Sequence, residues 1–356
     1  MESSSRKYQE VYNHLMADFS SGAYGIGQRL PSERDVAAKL NVNMATVRRA
    51  FKVLVLAGIV EKRMGSGTYL KSTPGVSWES SPVNLVLDVG HNNYVANAIK
   101  RPLPEIAQHY GRTCRVVTTD QEGLEEHLNS FVKLGQPTIL AMARDLPLLK
   151  PLAEAPGLFV SMAVQVHGGL IPCVVGDDNQ LMQIIMEHLH QLGHQRIAYL
   201  HRKGGLAEVQ RRTWKHLAGE DYRPEFCLSV PQPYIDVEQD IRDGYAAVGA
   251  SFRAHPFTAL ICSSDPLMYG ASAALRAIGV EIPRQVSLVS IGNSPWAEFA
   301  APPVTSCVCQ LPSHLEKCFQ LLEHNHRHPE RPWKRLLIPP TLIVRESSAQ
   351  CRDTGL

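Results

Sequence analysis

Several signals are missing from this 356-residue chain. No stretch approaches the ~20 consecutive apolar residues of a membrane-spanning helix, so a membrane-embedded class is excluded. The eight cysteines (114, 173, 227, 262, 307, 309, 318, 351) are scattered and form no C-x-x-C pair. Reduced thiols are therefore expected rather than a disulfide frame or a zinc site. The amino terminus, MESSSRKYQEVYNHL, lacks the apolar core and small-residue cleavage site of a secretory signal, and a cytoplasmic protein is expected. No G-x-S-x-G, P-loop or G-x-G-x-x-G follows a strand pattern, so neither an enzyme nor a bound cofactor is expected. Tandem repeats and low-complexity tracts are absent as well.

What is present is globular. Hydrophobic residues at 44% and charged residues at 20% exclude a largely disordered chain, and the length suits two or three compact units. The net charge of +2 hides an asymmetry. Residues 1–71 hold 11 Lys/Arg against 6 Asp/Glu, whereas the remainder holds 25 against 28. A basic head on a mildly acidic body is the arrangement of a chain whose one end meets a polyanion.

The head carries its own periodicity. Tyr8, Val11, Tyr12, Leu15, Met16 and Phe19 fall on one face of an amphipathic helix, which reads as packing core. LPSERDVAAKL follows, with Ser32 placed to cap a second helix. After the short turn NVNM, ATVRRAFKVLVLAG predicts a third helix that closes at Gly58. IVEKR and GTYLK are two short strands about a glycine-containing hairpin. Residues 72–82, STPGVSWESSP, have no period and are rich in Ser, Pro and Gly, the composition of a linker. From Val83 strands alternate with 10–15-residue helices in two series, implying two α/β lobes with parallel, doubly wound sheets and a cleft between them. The expected boundaries are 1–71 for the head, 83–346 for the two-lobed body and 347–356 for a flexible tail.

The head resembles the winged helix-turn-helix of GntR-type bacterial transcription factors. The likeness rests on L-P-S-E-R at a helix start, T-V-R-x-A on the recognition helix and G-x-G at the wing tip, in that order and spacing. It implies that Arg34, Thr46, Arg48, Arg49 and Lys52 meet DNA, and that Gly65 and Gly67 let the wing approach the minor-groove edge. For each arginine taken alone the competing reading is a solvated helix face. Met44 stands where relatives carry a basic or polar contact, so the base preference does not carry over.

The body resembles the effector-binding domain of LacI/GalR regulators, with the two-lobed architecture of periplasmic sugar-binding proteins. VVGDDNQLMQIIMEHLHQLGHQRIAYL, ALICSSDPLMYGASAALRAIGVEIPRQVSLVSIGN and PPVTS carry the likeness. The usual hinge helix after the head is replaced by the 72–82 linker, and the combination resembles the arabinose-responsive repressors. The resemblance implies ligand contacts at Asp265, at Arg211 or Arg212, and at Asn93 and Tyr94 after the first strand of the body. A carboxylate at the end of a parallel strand can accept two sugar hydroxyls; as a competing or additional role, Asp265 can cap its helix. Two positions depart from the pattern. SIGN replaces the usual G-x-D, which aligns the customary aspartate with Gly292 and leaves Asn293 as its substitute, and Ser264 stands where Asn is usual. HNHRHPERP, with His324, His326 and His328, reads as a solvated, proline-bounded loop rather than a metal site. The expected protein is a homodimeric, ligand-responsive repressor of a carbohydrate-use operon, with operator DNA and a sugar or sugar derivative as partners. A solute-binding protein without a regulatory role and a sugar-processing enzyme are the alternatives.

Overall fold

The computed structural model describes residues 2–20, 23–25, 27–56, 58–63, 65–71, 81–88, 93–119, 121–141, 152, 156–163, 171–204, 206–231, 236–328 and 331–352. All of the expected linker except Ser81 and Pro82 lies outside these residues. The chain forms two compact units. One comprises Met1–His91, Lys100–Cys173 and Cys318–Lys334; the other comprises Asn92–Ile99, Val174–Lys317 and Arg335–Leu356.

Local signals account for the head. Helix α1 (Glu2–Ser20) buries Val11, Tyr12, Leu15 and Phe19, the face that the periodicity marks. Helix α2 (Glu33–Leu40) opens on a capping box: the Asp35 amide donates to Ser32 Oγ at 3.2 Å, and the Ser32 amide donates to Asp35 Oδ2 at 3.1 Å. Two of the orphan donors of a helix start are thereby satisfied. Asn41, in the left-handed conformation at φ 49°, ends the helix. Helix α3 (Met44–Leu56) is capped from Asn43, whose Oδ1 accepts the Thr46 amide at 2.8 Å. Gly58, at φ +67°, turns the chain from α3 into the antiparallel hairpin of β1 (Val60–Arg63) and β2 (Gly67–Leu70), and Arg29 bridges to Tyr69 at its side. Val47, Phe51 and Leu54 of α3 complete a core of fully buried side chains.

The rest of the chain alternates as expected. In order follow β3 (Val83–Asp88), α4 (Asn93–Lys100), α5 (Leu103–His109), β4 (Cys114–Thr119), α6 (Gln121–Lys133), β5 (Thr138–Ala141), β6 (Phe159–Met162) and β7 (Cys173–Gly176). Then come α7 (Asp178–Gln191), β8 (Ile197–Arg202), α8 (Leu206–Ala218), β9 (Cys227–Val230), α9 (Val237–Ala254), β10 (Ala259–Cys262), α10 (Asp265–Ala277) and β11 (Ser287–Ile291). The last elements are α11 (Pro295–Glu298), β12 (Thr305–Val308), α12 (Leu311–Arg327), β13 (Arg335–Ile338) and β14 (Thr341–Ile343). Two six-stranded sheets result, ordered β13-β7-β6-β5-β3-β4 and β14-β12-β11-β10-β8-β9. Their central pairings are parallel, and β14 alone among the pairs of the second sheet runs antiparallel, against β12. Strands buried on both faces explain the near-continuous apolar runs such as ALIC and SLV. Trp214 is fully buried in the core beside Tyr199 and Tyr222.

Two expectations need correction. The tail from 347 is not loose over its described part: Ser347 is fully buried, its amide oxygen accepts from the Leu288 amide at 2.8 Å, and the Cys351 amide donates to Leu192 O at 2.7 Å. Buried backbone groups left unpaired are costly, and this segment pairs the Leu288 amide of β11 and the Leu192 carbonyl at the end of α7. The histidine run is also not a loop. His324 and His326 lie in the last turn of α12, where the His324 ring stacks on Trp333 at 3.8 Å.

Candidate functional site

Two regions collect the side chains singled out by sequence. The first is the outer surface of α2, α3 and the hairpin. Arg34, Arg48, Arg49 and Lys52 are all exposed, and Arg48 and Lys52, four residues apart, share one face of α3. Glu33 organises this face. Its Oε2 accepts from Arg48 Nε at 3.3 Å and its Oε1 from Lys62 Nζ at 2.6 Å, tying α3 to the hairpin. Burial by itself would raise the Glu33 carboxyl, but the bonds and charges of Lys62 and Arg48 hold it below the ordinary range. The arrangement holds Arg48 and Lys62 side by side, a pair of cations ready to exchange one carboxylate for phosphate oxygens.

The geometry reassigns two members of the expected set. Thr46 is only 6% exposed, and its hydroxyl donates to Asn43 Oδ1 at 2.8 Å, so it fixes the start of α3 instead of presenting a free hydroxyl. Arg49 is turned about 100° from Arg48 around the helix. Its guanidinium lies over the Tyr8 ring at 4.3 Å, and Nε stands 3.8 Å from Glu126 Oε1. Gly65 and Gly67, at φ +71° and +118°, bracket the tip of the hairpin. Lys62 and Arg63, also exposed, extend the basic face and were not singled out; their place on the strand IVEKR was the available signal.

The second region is a cavity of about 380 Å³ within the second unit. Asp265, Asn293, Trp296, Cys309 and Gln310 are among its walls, with Val95 and Ala98 of α4. Three of its walls follow the carboxyl ends of neighbouring parallel strands, β10, β11 and β12, the place where α/β sheets hold ligands. Asp265 is 5% exposed. Its Oδ1 accepts from Ser290 Oγ, and its Oδ2 accepts the Ser294 amide at 2.7 Å. The helix cap is Ser264, whose side chain takes the Leu267 amide, and not Asp265. Asp265 therefore anchors the loop after β11. The same carboxylate explains Gly292, which sits at φ +144°, where a Cβ would come within 2.7–2.9 Å of the Asp265 carboxyl. A glycine in place of the usual aspartate is thus a packing requirement as well as a lost acceptor. Asn293 reaches the cavity with its Oδ1 accepting from Arg345 Nη2 at 2.6 Å; Arg345 also donates to Val304 O at 2.7 Å. Burial pushes the Cys309 thiol up to about 11, so it is a neutral, weakly polar wall.

Asn93 and Tyr94 open α4, and their side chains lie outside the described residues, while Val95 and Ala98 of that helix line the cavity. Arg211 lies elsewhere. Its guanidinium is held by Glu208, Nε to Oε2 at 2.9 Å, and it does not line this cavity. Arg202 at the end of β8 was missed: it is buried, donating to Asp240 (Nε to Oδ1, 2.9 Å) and to Asp243 (Nη2 to Oδ2, 2.7 Å). Burial raises the Asp240 carboxyl against the pull of Arg202. This is a desolvated ion cluster bracing α9 against β8, and only the paired acids of α9 hinted at it.

Comparison with known proteins agrees with this division. Residues 7–70 match the family model for bacterial regulatory proteins of the gntR family, and residues 186–348 match that for the periplasmic binding protein-like domain. The chain is 26% identical over 179 residues to the HTH-type transcriptional regulator MalR of Streptomyces coelicolor, which covers 50% of this chain and 52% of that protein. The chain thus spans about half the length of that relative. It is 22% identical over 305 residues to the arabinose metabolism transcriptional repressor of Geobacillus stearothermophilus, covering 82% of this chain and 83% of that protein. Among solved structures, a LacI family transcriptional regulator from Enterococcus faecium with bound ribose superposes with a TM-score of 0.60 at 18% identity, over 76% of this chain and 100% of that one. Among the described residues no helix is long and apolar enough to cross a membrane.

Proposed function

We propose, from the premise that this chain joins a gntR-type regulatory head to a periplasmic-binding-protein-like body, that it is a ligand-responsive repressor of a carbohydrate-use operon. The observation that carries the reading is the coexistence of two built surfaces in one chain. One is a cationic face on α3 and the hairpin, ordered by Glu33; the other is a cavity at the carboxyl ends of β10, β11 and β12, ordered by Asp265. The long match to an arabinose metabolism repressor and the fold shared with a ribose-bound regulator support a sugar or sugar derivative as effector.

In mechanism, Lys and Arg on the head displace counterions from DNA, while Arg48 enters the groove in register. Two heads of a homodimer match the half-sites of a palindrome. The effector fills the cavity against Trp296 and Gln310, with the loop 292–294 held in place by Asp265. Asp265 positions this loop through one accepted hydrogen bond at each oxygen, and each oxygen keeps a second lone pair for a ligand hydroxyl. Linkage requires that effector and operator alter one another's affinity by the same factor. Mobility-shift titration with DNA from upstream of its own gene, against a random duplex at equal salt, tests the reading. Selective retardation of the upstream DNA supports it. Equal binding of both duplexes, or of neither, overturns it and favours a solute-binding role.

A further inference from the structure

The linker between head and body leads one to expect a loosely tethered head. The contacts within the first unit differ from that expectation. Beside α1, α3 and the turn that follows α3, four residues of the first lobe meet the head. Arg115, on the edge strand β4, lies against the Gly58 turn, so closely that a Cβ at position 58 would run into its guanidinium. Glu126 of α6 faces Arg49 at 3.8 Å. Lys133, at the end of α6, places Nζ 5.2 Å from the centre of the Tyr12 ring, and Leu134 packs on the apolar core of the head.

We infer that this patch of β4 and α6 is a seat for the winged head, so that the head moves with the first lobe and not independently at the end of a tether. The seat has its own internal support. Arg115 is held by Asn84 Oδ1 (Nη2, 2.6 Å) and Gln136 Oε1 (Nη2, 2.8 Å), and its guanidinium also faces the Phe131 ring at 5.6 Å. Asn84 in turn bonds Thr138 Oγ1 at 3.3 Å, extending the network across three strands. A half-buried arginine held by Asn84 and Gln136 and facing Phe131 is an expensive feature for a surface that touches nothing. Here it supports the turn that joins the recognition helix to the wing. The Arg49–Glu126 pair is about half exposed at both partners, so it orients the head more than it holds it. Leu134 and Arg115 do the holding.

The seat also assigns Arg49. A residue over Tyr8 and beside Glu126 is a docking residue, while Arg48, about 100° away around the helix, is left for DNA. The regulator reading gives the seat its purpose, a rigid path from the first lobe to the recognition helix, but the seat itself is tested without DNA or effector. Amide hydrogen exchange is measured on the full chain and on Leu134→Asp, Arg49→Glu and the swap Arg49→Glu with Glu126→Arg. Docking protects both partners, so exchange over 8–16 and 47–59 should rise about tenfold in Leu134→Asp while β3 and β5 stay protected. Arg49→Glu should raise exchange in the same segments, and the charge swap should restore it. Should Leu134→Asp also expose β5, the lobe itself has opened, and the charge-swap series decides alone. Unchanged exchange over 47–59 in Leu134→Asp with an intact lobe, or no recovery in the swap, would overturn the seat. Loss of DNA binding with the seat intact would instead count against the regulator reading.

Discussion

The head and the effector cavity are built by opposite means. In the head, each turn is decided by residues within five positions of one another: Ser32 with Asp35, Asn43 with Thr46, Gly58 with Val55 and Ile59 with Leu54. In the cavity, the decisive bonds join residues 25 to 52 positions apart: Ser290 to Asp265, Ser294 to Asp265, Arg345 to Asn293. The contrast teaches where a sequence speaks plainly. Caps and helix ends are written locally, whereas the wall of a pocket depends on which strand ends the topology brings together.

Variants can break or sharpen the contrast, and the largest effect is expected in the cavity. Gly292→Ala combines a disfavoured φ with contact against the Asp265 carboxyl. A loss of about 3 kcal/mol is expected, read as a lowered thermal midpoint of the second unit. Asp265→Asn comes next. One of its two acceptors becomes a donor facing Ser290 Oγ or the Ser294 amide, so about 2 kcal/mol of stability and much of the effector affinity should go together. If stability falls and effector affinity measured by calorimetry does not, the loop anchor is separate from the binding site.

In the head the effects are smaller and separate cleanly between neighbours. Arg48→Ala should weaken binding to the upstream duplex by about 1–3 kcal/mol and lower the slope of log affinity on log salt by about 1. Arg49→Ala should leave that slope unchanged, since its guanidinium faces Tyr8 and Glu126. Equal losses in the two variants would return Arg49 to the DNA face. Ser32→Ala removes the capping box and should cost about 1 kcal/mol, visible as fraying of α2 in amide exchange.

A pH titration sharpens the comparison from the other end. Burial pushes His194 and His314 below the ordinary histidine range, and His188 likewise. His194 bonds Thr258 Oγ1 and Ser287 Oγ in neutral form, at 3.1 and 2.9 Å. A folded pKa below the unfolded one means that the unfolded chain binds more protons in acid. The stabilisation is therefore complete above the ordinary value near 6.5 and is lost as pH falls below it. The thermal midpoint of the body should drop between pH 7 and 5, and His194→Gln should flatten that dependence.

The same contrast sets how much was legible beforehand. Periodicity and glycines mark the three helices and the hairpin of the head, although α1 begins at Glu2, six residues before the stripe that starts at Tyr8, and alternation gives the two largely parallel sheets. The basic surface around Arg34, Arg48 and Lys52 follows from motif spacing. For Thr46 and Arg49 spacing says which residues are polar, not which way each points around a helix, so the bond to Asn43 and the contacts with Tyr8 and Glu126 were not legible. Asp265 was legible as a cavity residue, but its role as loop anchor was not, since Ser290 and Ser294 reach it only after folding. Arg345 lay outside the expected set for the same reason.

Control of the DNA-binding face by the cavity is the central claim. Its most direct test is an anisotropy titration of the upstream duplex with the full chain, repeated across a panel of pentoses, hexoses and their phosphates. At least one compound should change the dissociation constant about 5- to 150-fold, and Asp265→Asn should lose that response while still binding the duplex. A duplex affinity that no compound alters in the wild type, or a response that survives unchanged in Asp265→Asn, would contradict it.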